Sequence, residues 1–136
     1  MRVPPLLWLP VVGGLLLKKG EGRDQAGPMD FGPASQIIVT TPGRSDVSLS
    51  LKLALTPEEQ HHGLMFREAA LPQNEVLAFI HPGPGRRVLY MRNTYIPLQA
   101  AWFTADGTFR EVQTLTPLDE TYMWTQSDDV QVGLEA

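Results

Sequence analysis

The sequence predicts an all-β domain, mainly β with one short helix, folded as a compact antiparallel β-sandwich or barrel-like sheet. The strongest indication is residues 47–55, where apolar side chains alternate with small or polar ones, as in a strand with one buried face. Twelve Gly and twelve Pro among 136 residues indicate short elements joined by turns. The sequence has no heptad pattern, repeat or long helical period, which argues against a helical protein.

Six further segments are predicted as strands because apolar and β-branched residues lie between turn signals. They are residues 36–40, 75–80, 88–91, 99–104, 108–115 and 129–134. Residues 75–91 are predicted to form one hairpin with a long loop rich in Gly and Pro. The Asp106-Gly107 pair predicts a tight hairpin turn between the fourth and fifth of these segments.

A single short helix is predicted directly after the alternating strand. Thr56 can cap its N-terminus, Pro57 suits the first helical position, and Glu59 completes a capping box. The helix is predicted to run to about His62 and to end at Gly63, since glycine favours helix termination.

The first 35 residues differ in composition from the rest. Residues 1–17 form an apolar leader that is typical of a signal peptide and too short for a bilayer, which needs about 20 residues. An interfacial anchor and a non-native start are the alternatives, because three prolines interrupt the leader and two lysines follow it. Residues 18–35 are predicted to be a linker and residues 36–136 the β domain. The predicted location is exported, periplasmic or extracellular, and otherwise membrane-associated or cytoplasmic.

Charge and cysteine content exclude several classes of function. Residues 28–136 carry 7 basic and 13 acidic side chains, an excess of negative charge that disfavours binding of nucleic acid. The chain has no cysteine, so disulfides, thiolate metal sites and cysteine nucleophiles are excluded. The only imidazoles are His61, His62 and His81, and adjacent histidines on a helix point in different directions. We therefore predict no metal and no cofactor.

An ordered set of short motifs runs from the end of the predicted helix to the end of the chain. The set is Gly63-Leu64-Met65-Phe66-Arg67, Leu71-Pro72, Met91-Arg92-Asn93-Thr94-Tyr95-Ile96-Pro97-Leu98, Phe103, Asp106-Gly107 and Leu134-Glu135. In this set the chain resembles the bacterial and archaeal domain of unknown function 192 family, over roughly residues 47–135. The resemblance implies a compact, mainly β domain, often preceded by an export signal, and it implies no established activity.

The chain departs from this family pattern at several positions. Val76-Leu77-Ala78-Phe79 stands where the pattern has Gly-Met-Leu-Phe, Tyr90 where it has Trp or Phe, and Gln99 where it has Asp. If that acidic position binds or catalyses, the activity of this chain is altered or lost. The pattern also continues beyond Leu134-Glu135 through a Gly-rich turn and a strand, so we expect a truncated C-terminus and an unpaired sheet edge.

The predicted ligand-binding residues are Arg67, Tyr90, Arg92, Asn93 and Thr94. Asn93 and Thr94 place an amide and a hydroxyl at the end of a predicted strand, although such pairs also fix a turn through bonds to the local backbone. Arg67 could bind a carboxylate or phosphate with its planar fork, or could form a structural pair at the sheet edge.

A basic loop and several aromatic residues are further candidates. Arg86 and Arg87, with Arg92 beyond them, could form an anion site, and the alternative is a solvated loop. Six aromatic residues near strands could line a pocket or a sugar platform, although core packing is the more common use. They are Tyr90, Tyr95, Trp102, Phe103, Tyr122 and Trp124.

These observations favour an exported, non-catalytic binding or accessory module with an unknown small ligand or protein partner. Nucleic acid is not expected as a partner, and membrane contact is expected only through the leader. One alternative is a small hydrolase with a site near Arg67 and Asn93, and another is a divergent structural remnant. The candidate bases for a hydrolase are His62, His81, Glu68 and Asp106. The sequence identifies no catalytic residue and no oligomeric state.

Overall fold

Six strands form one open sheet in this protein, and two more strands form a separate ribbon. The structure is a computed structural model that describes residues 27–136, so the predicted leader and most of the predicted linker lie outside the described residues. Within residues 27–136 the chain forms eight strands and one helix. They are β1 Ser35–Val39, β2 Val47–Ala54, α1 Pro57–His62, β3 Glu75–Gly85, β4 Val88–Leu89, β5 Leu98–Phe103, β6 Phe109–Leu115, β7 Met123–Trp124 and β8 Val130–Glu135.

The main sheet has the strand order β1-β2-β3-β8-β5-β6. The mainly β, sandwich-like class that the sequence predicts is confirmed. Two details differ from the prediction: β2 and β3 are parallel, and the sheet is open rather than closed into a barrel. The parallel pair arises because residues 55–74, which include α1, carry the chain back along the sheet before β3 begins.

Both faces of the sheet bury apolar side chains. The first face is centred on the cluster Ile37, Leu51, Leu53, Val76, Ile80, Phe103 and Val132. The second face is centred on the cluster Leu64, Leu77, Phe79, Met91, Leu98, Trp102 and Val130. This arrangement explains why residues 76–80 of β3 are buried without interruption, because a strand covered on both faces has no wet side.

The predicted helix cap is present in α1. The Thr56 hydroxyl accepts a hydrogen bond from the Glu59 backbone N at 3.1 Å, and the Glu59 carboxylate accepts one from the Thr56 backbone N at 3.1 Å. Gly63 ends the helix with a φ of 50°, a conformation in the left-handed region that glycine adopts without a steric penalty.

A side chain of α1 also fixes the helix on the sheet. The Gln60 amide donates to the carbonyl oxygens of Ala54 at 3.1 Å and Ile80 at 2.9 Å. These two carbonyls belong to neighbouring strands, β2 and β3, so one amide ties the helix to both. The helix end is thereby held over the second face of the sheet.

The predicted hairpin over residues 75–91 is wrong. Strand β3 continues through the Gly- and Pro-rich segment as far as Gly85, with a register shift between Ile80 and Gly85. The two edges of β3 are already occupied by β2 and β8, so the returning segment has no free edge to pair with. Strand β4 pairs instead with β7, and the resulting ribbon forms part of the wall of the pocket described below.

The end of the sequence does not leave the unpaired edge that was expected. Strand β8 lies between β3 and β5 and forms hydrogen bonds with both, whereas the edges of the main sheet are β1 and β6. Every residue of β8 except Gln131 is also buried.

The last part of the predicted linker packs against the domain. Phe31 is buried in the cluster on the second face, and Met29 lies against the same cluster. The carbonyl oxygen of Gly27 lies 2.8 Å from the Nε2 atom of His62 in α1. Ordered contacts therefore begin several residues before β1.

Candidate ligand-binding site

A pocket of about 720 Å³ lies between the second face of the sheet and the segments that cover it. Its floor consists of side chains from the three central strands, Phe79, His81, Trp102 and Glu135. Its walls come from residues 60–65, residues 86–91, Tyr122 and Trp124. Pockets for small molecules commonly measure about 300–1,000 Å³, so the space is large enough for a metabolite-sized ligand.

Trp102 forms the centre of the floor and is 1% exposed. It pairs across the strands with Gly133, and its ring lies over that residue. A Cβ atom at position 133 would come within 2.6 Å of the ring, so the indole can lie there only because residue 133 is glycine. The Trp102 Nε1 atom donates a hydrogen bond to Oε1 of Gln113 at 2.9 Å, which satisfies the one polar atom of the ring and orients it.

The imidazole of His81 is stacked on Trp102, with 6.3 Å between ring centroids and 26° between ring planes. Burial, together with the nearby positive charge of Arg87, lowers the pKa of His81 to about 4. His81 is therefore uncharged at neutral pH and presents a neutral imidazole to the pocket.

Glu135 places a carboxyl group in the floor of the pocket, although the residue is only 5% exposed. Glu135 pairs with Leu77 of β3 on one side and with Ala100 of β5 on the other. Both residues belong to the cluster on the second face, so the Glu135 side chain lies there among apolar groups. Within residues 27–136 no group donates a hydrogen bond to this carboxyl or forms an ion pair with it. Burial raises the pKa of Glu135 to about 8, so the carboxyl is mostly protonated at neutral pH.

Two arginines line the pocket wall in different states. The Arg87 guanidinium donates a hydrogen bond to the carbonyl oxygen of Gly83. Its Nε atom is buried without a hydrogen-bond partner. No carboxylate in the described part of the chain forms an ion pair with this guanidinium. Arg86 is exposed; its Nε atom donates to the Thr125 carbonyl at 3.0 Å, and its guanidinium lies 5.4 Å from the centroid of the Trp124 ring. Burial lowers the pKa of Arg87, but a guanidinium stays charged at ordinary pH.

Aromatic side chains surround the opening of the pocket. Tyr90 contacts Tyr122 edge to face, with 5.8 Å between centroids, and lies 6.1 Å from His61. Tyr122 is 66% exposed and Trp124 is 50% exposed. Large exposed aromatic rings beside a pocket are typical of a binding surface rather than of a packed core.

The residues predicted to bind ligand fall into two groups. Tyr90 and Thr94 line the pocket, whereas Arg67, Arg92 and Asn93 are not among its lining residues in the described part of the chain. Ligand contact by all five stays a prediction.

The turn interpretation accounts for the conformation of Asn93. This residue has a φ of 53°, and its carbonyl oxygen accepts a hydrogen bond from the Phe66 backbone N at 2.8 Å. The Thr94 hydroxyl donates to the Arg92 carbonyl at 3.1 Å, and the Thr94 carbonyl accepts from the Leu118 backbone N at 3.0 Å. The turn therefore links the segment after α1 to the segment before β7.

The four candidate bases for a hydrolase are not brought together. His62 and His81 line the pocket, whereas Glu68 is exposed on the segment before β3. Asp106 lies in the β5–β6 turn, where its carboxylate accepts hydrogen bonds from Thr104 and Thr108. Among residues 27–136 no group of three His, Asp or Glu side chains is arranged to hold a metal ion. No helix in that range is long and apolar enough to cross a membrane.

The sequence analysis did not single out Glu135 as a site residue. It named His81 only as a candidate base and Arg87 only as part of a basic loop. The predicted strand over residues 129–134 ends one residue before Glu135, so the sequence reasoning assigned Glu135 neither burial nor a place in a site. Glu135 is buried because β8 is a central strand and its second face is covered, which alternation alone does not reveal. The adjacent Gly133 is a signal that could have pointed to close packing, since glycine in a strand often marks a close approach.

The fold and this site define a small, mainly β domain with a ligand-sized pocket on one face of an open, mixed sheet. The family model described as Uncharacterized ACR, the domain of unknown function 192, matches residues 37–136, and the chain belongs to this family. The resemblance seen in the sequence motifs is thereby confirmed. A comparison with curated proteins finds no significant match.

Two solved structures share the fold. A protein from Sinorhizobium meliloti, described as a candidate transcription regulator, is 24% identical, with a TM-score of 0.71 over 80% of this chain and 83% of that chain. A protein of unknown function from Novosphingobium aromaticivorans is 26% identical, with a TM-score of 0.69 over 85% of this chain and 86% of that chain. These similarities support the fold and do not assign an activity.

Proposed function

We propose that this protein is a binding or accessory module that takes a small organic molecule into the pocket on the second face of its sheet. The observation that carries the proposal is the pocket itself, about 720 Å³ in volume, at the centre of the covered face. Proteins pack their interiors densely, so an open space of this size on a face that is otherwise a core suggests a role in binding.

The chemistry of the lining supports a ligand that is partly apolar. Apolar contact is available from Met65, Phe79, Leu89, Leu98 and Trp102. Several polar side chains also line this space, and two of them, Arg87 and Glu135, have bonding capacity that the described chain leaves unused. Apolar surface combined with polar groups that can orient a ligand is typical of sites for small molecules.

A thermal-shift screen of the full chain tests the proposal. The panel contains small carboxylates, amines, sugars, nucleotides and neutral aromatics. A ligand present at 100 times its dissociation constant is expected to stabilise the protein by about 2.7 kcal/mol. Leu89→Trp, which fills the pocket from the β4 wall, should abolish any shift seen with the parent protein.

Val112→Trp is the matched control, because Val112 is an exposed residue of β6 that does not line the pocket. This variant should keep the ligand-induced shift. If Leu89→Trp keeps the shift as well, the ligand binds elsewhere. The proposal fails if no member of the panel stabilises the parent protein.

We also propose that the protein acts outside the cytoplasm. The proposal is supported by the apolar leader over residues 1–17, which is typical of an export signal. The test is fractionation of bacterial cells that express the tagged full chain. The parent chain is expected outside the cytoplasm, and a variant with Leu15→Asp and Leu16→Asp is expected inside it. Retention of both chains in the cytoplasm would contradict the proposal.

A further inference from the structure

The two unused polar groups of the pocket, on Arg87 and Glu135, do not pair with each other. Both side chains line the same space, yet they form no salt bridge, and no other group in the described chain takes the place of either partner. The separation indicates that each group is available to a different part of a ligand.

The fixed charge of the pocket is positive. Arg86 and Arg87 in the wall are cationic, and the imidazole of His81 in the floor is neutral because burial and the charge of Arg87 lower its pKa to about 4. The carboxyl of Glu135 contributes little negative charge at neutral pH, because burial raises its pKa to about 8. The negative charge of Glu111 partly neutralises the positive charge of Arg86. No carboxylate among the described residues neutralises the charge of Arg87.

We propose, building on the function proposed above, that the ligand is a small planar organic anion, whose anionic group binds Arg87 and whose second polar group forms a hydrogen bond with the carboxyl of Glu135. The exposed rings of Tyr122 and Trp124, which line the pocket, offer flat surfaces for the planar body of the ligand. Arginine binds carboxylate through a planar fork of donors, and a neutral carboxylic acid donates one hydrogen bond.

Cationic and neutral ligands fit the pocket less well than an anion does. An ammonium ligand would be repelled by Arg86 and Arg87, and it would gain an ion pair only if Glu135 lost its proton. A neutral aromatic ligand would fill the apolar space but would leave the Arg87 guanidinium without a counter-charge. These two classes are therefore the competing outcomes in the experiment.

The experiment is titration calorimetry of the full chain with four related probes. They are 6-methoxy-2-naphthoate, 2-naphthoate, 6-methoxy-2-naphthamide and (6-methoxy-2-naphthyl)methylamine. The two carboxylates should bind, the methoxy compound more tightly, and the amide and the amine should bind at least about tenfold more weakly, as expected for loss of a charge-assisted pair. Equal or tighter binding of the amide or the amine would overturn the inference about charge and leave the proposed pocket function intact.

Arg87→Gln should reduce binding of both carboxylates to the level of the amide and should leave binding of the amide unchanged. Arg44→Gln is the control, because Arg44 is an exposed residue between β1 and β2 that does not line the pocket. Arg87→Lys keeps the charge without the planar fork and should bind the carboxylates with intermediate affinity. If these Arg87 variants bind the carboxylates as the parent does, Arg87 is not the anion site.

The role of Glu135 is tested by the pH dependence of binding. The methoxy probe does not titrate between pH 7 and pH 9, but Glu135 loses its proton over this range. The ionised carboxylate cannot donate a hydrogen bond, and it repels an anion. Binding should weaken by about tenfold from pH 7 to pH 9. Glu135→Gln, which keeps a neutral donor, should bind at pH 7 within a few-fold of the parent and should lose this pH dependence.

Other ionisable side chains also line the pocket, namely His61, His62, His81, Arg86, Arg87, Tyr90 and Tyr122. The comparison with Glu135→Gln separates Glu135 from them, because they are unchanged in that variant. A pH dependence that persists in Glu135→Gln would overturn the assignment to Glu135. Failure of both carboxylates to bind at millimolar concentration would overturn the ligand class, and the screen with Leu89→Trp decides separately whether the pocket binds any ligand.

Discussion

At the scale of single residues, the ionisation of Glu135 and His81 is controlled by the apolar surroundings on the second face of the sheet. Burial opposes charge on each side chain, so it raises the pKa of the acid to about 8 and lowers that of the base to about 4. Both groups are therefore mainly neutral at pH 7, where a solvent-exposed glutamate would be fully ionised.

The raised pKa of Glu135 makes the free energy of unfolding depend on pH. Between about pH 4.5 and pH 8 the unfolded chain has lost a proton that the folded chain keeps, so stability falls as the pH rises. The slope from this one group is at most about 1.4 kcal/mol per pH unit. Chemical denaturation of the parent and Glu135→Gln across this range should show that the variant lacks the slope, most clearly between pH 6.5 and pH 8. Parallel curves for the two proteins would contradict the buried, unpaired carboxyl.

The lowered pKa of His81 has the opposite consequence. Between about pH 4 and pH 6.5 the unfolded chain binds a proton that the folded chain does not, so stability falls as the pH is lowered through this range. His81→Phe keeps an aromatic ring against Trp102 and removes the titrating group. The Glu135 carboxyl changes stability in the opposite direction over the same range, so the comparison is made in the Glu135→Gln background. In that background, denaturation curves at pH 4.5 and pH 6.5 should lie closer together with His81→Phe than without it. His61→Phe, at an exposed position on the helix, is the control and should behave as the parent does.

At the scale of the elements, the pocket floor depends on the close approach of β5 to β8. The indole of Trp102 crosses β8 where Gly133 leaves room, and Gln113 on β6 holds the ring nitrogen at 2.9 Å. Three neighbouring strands thus cooperate to set the orientation of one ring. The wall opposite depends on the β4–β7 ribbon, which exists because both edges of β3 are occupied.

Gly133→Ala is expected to destabilise the protein by about 1–3 kcal/mol, because the added methyl group would lie 2.6 Å from the Trp102 ring. Chemical denaturation measures the change. A double-mutant cycle with Trp102→Leu isolates the contact, since the methyl group no longer meets an indole there. The added cost of Gly133→Ala should be smaller in the Trp102→Leu background. Additive costs would mean that the ring does not lie over position 133.

At the scale of the whole molecule, the domain uses both faces of one open sheet as a core. The first face is lined by apolar side chains from the strands themselves, whereas the second is covered by the helix, by irregular segments and by residues that precede β1. Because irregular segments cover the second face, it can leave a pocket of about 720 Å³ open. The proposed binding pocket therefore lies in the less regularly packed half of the domain.

Phe31→Ala tests whether the chain before β1 belongs to this cover. Phe31 is 9% exposed and packs in the cluster on the second face, so its truncation is expected to cost about 3 kcal/mol of stability. Pro33→Ala changes an exposed residue of the same segment and should cost far less. Equal stability of the two variants in thermal denaturation would mean that residues 27–34 are a linker and not part of the fold.

The sequence by itself determined the elements whose signal is local. Alternation identified residues 47–55 as a strand, the capping box and Gly63 identified the two ends of α1, and Asp106-Gly107 identified the β5–β6 turn. Each of these signals depends on neighbours within a few residues. The ordered motifs also identified the family. The sequence also singled out the basic pair Arg86-Arg87 and six aromatic residues as candidates. It did not show that the basic pair lies in one pocket with four of those aromatic residues, Tyr90, Trp102, Tyr122 and Trp124.

Only the tertiary structure decided which strands are neighbours and which faces are covered. The order β3-β8-β5 makes β8 central, and Glu135 at its end is buried on the second face of the sheet, although the predicted strand did not include it. In the same strand order both edges of β3 are occupied, so β4 cannot pair with β3 and pairs with β7 instead. Strand order depends on contacts between residues far apart in the sequence, and the burial of a side chain depends on what covers its face, so neither can be deduced from the period of a single strand.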